Sequence, residues 1–224
     1  SASFVLDKLQ RQGRLLHRYR DGDASIPAFL DDHAFLAWGL MDLYEATFEV
    51  RWLAEAKRLT QEMIRLFWDD KTGGFFLSGE RNERLIAQTK ELYDGALPSG
   101  NSVAALNLVR LGMLTMDHDL QRSAERQMQA FSGQATHVPH AFPQLLIAVD
   151  VWLGPSQEIV IAGDPAAPDT KTMVRAVHER FLPRVVLALQ PADETSQGVE
   201  ALMPFIKAQR PLQGHATAYV CENY

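Results

Sequence analysis

The sequence predicts a mainly α fold, built of stacked αα-hairpins closing toward a ring and followed by a small α/β appendage. Three observations predict it. Three stretches, AFLAWGLMDLYEA, SVAALNLVRL and AFPQLLIAVDVWL, are almost wholly apolar, and each is entered through polar or turn-forming residues. The helices between them carry a single apolar stripe. After Gly154-Pro155 the pattern changes to short β-rich runs around an amphipathic helix. A helix that is apolar all round must be buried, whereas one with a stripe lies outside with one side wet. Inner, outer, inner, outer, inner is therefore the order of stacked αα-hairpins.

The elements follow in order. Residues 3–17 place Phe4, Val5, Leu9, Leu15 and Leu16 at roughly helical spacing, with Gly13 as a weak point. Asp21-Gly22 marks a turn, and Pro27 favours extended backbone before it. The first inner helix is expected over 32–48, and Asp31 or Asp32 suits its N-cap. An outer helix follows over 51–67, with Leu53, Ala56, Leu59, Met63, Ile64 and Phe67 on its buried stripe. A long insert then runs to Asp94. In it Lys71-Thr-Gly-Gly reads as a turn leading into a short strand, Phe75-Phe76-Leu77. The second inner helix begins near Asn101. An outer helix carries Leu120, Ala124, Met128 and Phe131, and a third inner helix covers 141–153.

Beyond that point EIVIAG and RVVLAL read as strands flanking an amphipathic helix over 169–182. A βαβ order of this kind predicts parallel neighbouring strands. A further helix around 198–207 and a strand over 216–221 extend the unit. The expected division is a toroid portion, 1–154, and a small α/β subdomain, 155–224.

Composition narrows the function classes. A net charge of −6 and a pI of about 5.6 leave no positive field for nucleic acid or an anionic membrane. No apolar run reaches the roughly 18 residues of a membrane span. The N-terminal stretch lacks the basic and apolar regions of a signal peptide and reads as a helix starting in mid-course, so the chain is expected to be a fragment of something longer. The single cysteine, Cys221, excludes an internal disulfide and fits a reducing, cytoplasmic setting. The segment PSGNS lacks the lysine and glycine spacing of a phosphate loop, and EIVIAGDP offers one glycine where a dinucleotide fingerprint needs several. Metal-ligand spacing and a nucleophile elbow are missing too. No cofactor is expected.

FLDDHAFLAWGLMDLYEAT, GGFF, YDGALPSGNSVAALNLVRL, EIVIAG and TAYVCENY together resemble the C-terminal half of the spermatogenesis-associated, YyaL-type thioredoxin-domain proteins. The resemblance runs through essentially the whole chain, and DGALPSGNS is its most specific part. It implies an N-terminal thioredoxin-like domain ahead of an (α/α)6 toroid similar to six-hairpin glycosidases and N-acylglucosamine 2-epimerases. The thioredoxin-like domain and the first hairpins are absent from this sequence. The resemblance also implies a second cysteine shortly after the position of Cys221, giving that residue a redox or disulfide role in the full protein.

In an αα-toroid the N-terminal ends of inner helices converge on the mouth of the cavity. Here those ends supply Asp31, Asp32 and His33, then Tyr93, Asp94, Ser99, Asn101 and Ser102, and finally His140. Carboxylates accept hydroxyl hydrogen bonds, an aromatic face stacks on a sugar ring, and one carboxyl of raised pKa supplies a general acid. Asp32 and Asp94 are the candidate catalytic carboxylates. Asp31, His33, Tyr93, Ser99, Asn101 and His140 are candidate ligand contacts. An epimerase-type site would instead pair His33 with His140 as acid and base.

Structural roles compete for most of these positions. Either aspartate of the first pair serves as a cap, Asp94 before glycine is a turn former, and Asn101 and Ser102 suit an N-cap. His140 beside Pro139 fits a loop or core position, Trp38 and Tyr44 fit the core, and Cys221 alone fits a small buried residue. Two functions are carried forward. One is a carbohydrate-like ligand bound or turned over in the cavity of the full-length protein, with no turnover expected of the fragment. The other is a non-catalytic scaffold serving the attached thioredoxin-like domain. An incomplete ring leaves an apolar flank, so a homodimer is also expected.

Overall fold

The computed structural model describes residues 1–79, 82–83, 86–193 and 196–222. The chain is mainly α, with two small sheets. α1 (Ala2–Leu9) leads into a three-stranded antiparallel sheet of β1 (Gln10–Arg11), β2 (Arg14–Arg20) and β3 (Asp23–Pro27). The helix expected over 3–17 therefore stops at Leu9. Gln12 and Gly13 both have positive φ, 53° and 72°, and form a tight turn that no helix continues through. Asp21 and Gly22 make the second turn in the same conformation, with φ 52° and 83°. Between two such turns Leu15 alternates inward while Arg14 faces solvent. Ile26, expected extended ahead of Pro27, instead takes φ +67°. That region is costly for a β-branched side chain.

Five helices form the body: α2 (Leu30–Thr47), α3 (Val50–Phe67), α4 (Gly100–Thr115), α5 (His118–His137) and α6 (Pro143–Leu153). α2, α4 and α6 lie side by side, with α3 packed on α2 and α5 on α4. α4 is central. Every residue of it except Arg110 is buried. α3 and α5 bury one stripe each, Leu53, Ala56, Leu59 and Met63 on the first, Leu120, Ala124, Met128 and Phe131 on the second. α6 departs from the expectation of a wholly buried helix. Leu145, Ala148 and Val151 face α4 and the core, while Leu146, Ile147 and Leu153 are exposed, because no helix among the described residues covers that side.

The insert between α3 and α4 is irregular. Gly73 and Gly74 make its turn with φ 73° and 79°. Asp69 anchors that turn through the Lys71 N–H, the Thr72 hydroxyl and Lys90. The strand expected at 75–77 reduces to one bridge, Trp68 to Phe75. The reason is local: the backbone N–H and C=O of Phe75 are both satisfied by the side-chain amide of Asn101, at 2.8 and 2.9 Å, in place of a neighbouring strand. Residues 80, 81, 84 and 85 of this insert lie outside the described residues, as do 223 and 224 of the TAYVCENY stretch.

After the cis Gly154-Pro155 bond come β4 (Gln157–Gly163), α7 (Pro168–His178), β5 (Val185–Pro191), α8 (Ser196–Leu202) and β6 (Thr217–Glu222). The sheet order is β5-β4-β6, with β4 parallel to β5 and antiparallel to β6. The helix expected over 198–207 breaks at Met203, since Pro204 starts a separate 3-10 turn. Alternation along the strands splits the core. Ile159, Ile161, Leu187 and Leu189 pack under Met173, Val174 and Val177 of α7, while Val160, Val186 and Ala188 join the main helical core. The sheet meets the C-terminal halves of α2 and α4. There Arg110 bridges Asp42 at 2.7 Å and Glu45 at 3.0 Å, and Glu45 accepts the Leu187 N–H at 3.5 Å.

Candidate functional site at the helix N-termini

The first turn of α2 sends three polar side chains in three directions. Asp32 turns back on its own helix and toward β2. Its Oδ2 accepts the Phe29 N–H at 2.8 Å and pairs with His17 Nδ1 at 2.9 Å. His33 turns toward α3 and is 1% exposed. Its Nδ1 donates to the Phe29 carbonyl at 2.9 Å, which leaves the lone pair on Nε2, 3.9 Å from Glu62 Oε2. The ring stands edge-on to Phe67 at 5.2 Å. Burial pushes the imidazole pKa below its usual value, against the Phe29 carbonyl and Glu62. A small hollow of about 110 Å³ lies beside it, lined by Glu62, Arg14 and Asn82 among others.

Asp31 turns the third way, to the N-terminus of α4. It accepts the Gly100 N–H, and a Cβ at Gly100 would stand 2.1 Å from Asp31 Oδ1. Glycine is what lets the carboxylate come this close to the helix end. Burial lifts the Asp31 pKa, the charges of Glu91 and Asp32 add to the lift, and the Gly100 N–H opposes it. Glu91 is exposed, and its carbonyl accepts from Asn101 Nδ2 at 2.8 Å, so the loop that carries it is fixed to α4.

The residues of the loop before α4 are committed to structure in a graded way. Ser99 caps α4, accepting the Ser102 N–H at 3.1 Å. Asn101 is fully buried. Its amide holds Phe75 on both backbone groups, the Glu91 carbonyl, and Gln127 Nε2 at 2.9 Å. Asp94 accepts Ser99 N–H on Oδ1 at 2.9 Å, and Gln144 and Leu145 N–H on Oδ2 at 2.9 and 3.4 Å. It thus caps α6 from another part of the chain. Tyr93 next to it is 69% exposed, and His140 is exposed on the 3-10 turn before α6.

The N-termini of α2, α4 and α6 are therefore brought together, and Asp31, Ser99 and Asp94 share that layer. Asp32 and His33 leave it, toward β2 and α3. Asn101 lies beneath it with all four amide contacts used. Glu91 belongs to the layer and carries no periodicity or motif that marks it. Cys221 sits half-buried on β6, directly across from Glu158. Among the described residues no group of three or more His, Cys, Asp or Glu is placed to hold a metal, and no helix is long and apolar enough to cross a membrane.

No protein-family model matches the chain. Over 196 residues, 87% of its length, the chain is 42% identical to human spermatogenesis-associated protein 20, and over the same length 40% identical to the rat protein. An uncharacterized protein of Caenorhabditis elegans is 27% identical over 203 residues, 90% of the chain. The chain is thus homologous to spermatogenesis-associated protein 20 over most of its length. It spans about a quarter of those relatives, 25% of the human protein and 28% of the nematode one.

Proposed function

We propose that this homologue of spermatogenesis-associated protein 20 forms part of an (α/α)6 toroid, whose rim at the N-termini of α2, α4 and α6 binds a carbohydrate-like ligand. The observation that carries the reading is the Asp31 carboxyl group over the N-terminus of α4, lifted in pKa by burial and by Glu91 beside it. Two carboxyls in unequal environments are what glycosidase-like acid–base chemistry uses, the raised one donating the proton. Asp31 is the proton donor and Glu91 its partner. Tyr93 is the stacking platform and His140 a polar contact. Asp32 and Asp94, the first choices for catalysis, are spent on His17 and on the α6 backbone, and so serve as positioning residues. An epimerase-like histidine pair is disfavoured, because His33 points into the α3 packing while His140 stands in solvent. Turnover belongs to the longer protein, in a reducing cytoplasmic setting.

Calorimetry with a broad panel of sugars on this chain and on the longer protein tests the reading. Binding that survives Asp32→Asn but is lost in Asp31→Asn and Tyr93→Ala is the expected result. Absence of binding to every sugar in both proteins would end it.

A second reading is supported by the same loop. Asp94 and Asn101 use their hydrogen bonds on structure, and the outer side of α6 presents Leu146, Ile147 and Leu153. Both fit a scaffold that docks an attached thioredoxin-like domain, or a second copy of the chain. On that reading, changes such as Ile147→Lys abolish function of the longer protein while Asp31→Asn leaves it intact.

A further inference from the structure

We propose that the pocket between α4, α6 and the start of β4 binds a primary alkylamine, whose ammonium group donates to Glu158 and lies against the indole of Trp152. The pocket has a volume of about 270 Å³, and Val109, Met113, Val151 and Leu153 supply its apolar wall. That is just below the usual range for drug-sized ligands, which fits a short, unbranched guest.

Glu158 is out of place by the pattern of its own strand. Ile159 and Ile161 face α7, and Val160 faces the helical core. Glu158, two residues before Val160, shares its side of the sheet and carries a carboxylate where an apolar residue belongs. It is 6% exposed, and its Oε2 has no hydrogen-bond partner among the described residues. Its own backbone N–H is the one hydrogen bond the carboxyl group keeps, and a buried carboxylate oxygen left without a partner is costly unless a donor or a cation meets it.

The neighbours do not supply one as they are placed: the hydroxyl of Ser156, also on the pocket wall, makes no hydrogen bond to Oε2. Arg184 is engaged by Asp150 at 2.8 Å and by the Gly154 carbonyl at 2.9 Å. The Gln121 amide donates to the Gly112 carbonyl and accepts from His118. Cys221, across the β4–β6 pair, is at most a weak donor. Among the described residues Glu158 is the only carboxylate on the pocket wall and no imidazole lies there, so the donor set is too small for zinc or calcium. An ammonium needs only one carboxylate and an aromatic face, and the exposed Trp152 provides the second.

The probe is n-hexylamine, with n-hexanol as the uncharged control of equal length, followed by the indole N–H signal of Trp152. Hexylamine should shift that signal saturably and bind at least about tenfold more tightly than hexanol, the ratio a hydrogen bond to a charged group supplies. Glu158→Gln should erase the difference by weakening hexylamine alone. Trp152→Leu, followed by calorimetry, should also weaken hexylamine more than hexanol and stands in if the glutamine variant fails to fold. A lysine amide that binds as well as hexylamine marks the source as a protein side chain, and one that does not marks a free amine. Equal affinities for hexylamine and hexanol in the unaltered protein, or a Glu158→Gln protein that retains the preference, would overturn the proposal.

Discussion

Asp94 Oδ2 accepts the backbone N–H of Gln144 at 2.9 Å, so a residue in the loop before α4 caps the N-terminus of α6, fifty positions later in the chain. Its other oxygen holds the Ser99 N–H, the cap residue of α4. One carboxylate therefore ties two neighbouring helix ends together. Asp94→Asn keeps the size but turns the amide NH2, a donor, toward one set of N–H groups. Loss of charged hydrogen bonds at a buried site should cost about 2 kcal/mol. In a chain of this size that is a fall of about 6 °C in melting temperature. An unchanged melting curve would mean that the clamp contributes nothing.

The approach of Asp31 to Gly100 is as specific. Gly100→Ala would put a methyl group against the Asp31 carboxylate and 3.0 Å from the Leu30 side chain. Overpacking of this kind costs about 1–3 kcal/mol. The carboxylate must also swing away from the helix end and into solvent. Its raised pKa should then fall back toward the usual aspartate value, which carboxyl carbon NMR titration of the two proteins reads directly. A titration midpoint that stays where it was would show that burial beside Gly100 is not the cause of the lift.

His33 gives stability a pH dependence whose sign follows from its burial. Its folded pKa lies below the unfolded value of 6.5, so the unfolded chain takes up the proton first. The stabilisation from the neutral ring is fully present above pH 6.5 and is lost as pH falls from there through the folded pKa. Urea unfolding of the natural protein and of His33→Gln across this range should give a stability difference that shrinks with acidification. A difference that is constant with pH would exclude His33 as the titrating group.

Much of this was legible from residue patterns, and the limits have physical causes. The alternation of all-round and striped apolar helices placed α2 to α6 within a few residues, because burial of a helical face imposes the 3.6-residue period directly. The β4–α7–β5 unit was legible from its β-branched runs, and its parallel pairing from the crossover rule. The stretch 10–20 was misread because Leu15 and Leu16 suit either period, and the Gln12-Gly13 turn that decides between them is only two residues long. The candidate carboxylates were legible as a group but not by role. Whether Asp31, Asp32 or Asp94 is free depends on which backbone N–H groups meet each one, and those of Gln144 and Gly100 come from distant segments. Glu91 and Glu158 owe their settings wholly to tertiary packing.

Arg110 is the one residue of α4 that is not buried, and it joins α2 to α4 through Asp42 and Glu45, 14% exposed itself. Glu45 in turn holds the Leu187 N–H, which brings β5 into the same network. Removing the guanidinium leaves Glu45 largely enclosed with no opposing charge, a loss of about 3 kcal/mol. Arg110→Met should therefore destabilise the chain strongly. The double change Arg110→Met with Glu45→Gln should recover most of the loss, because a neutral amide still accepts the Leu187 N–H and carries no charge to bury. A double-mutant cycle by urea unfolding measures this coupling. Additive losses would mean that the ion pair is solvated and does not fasten the sheet to the helices.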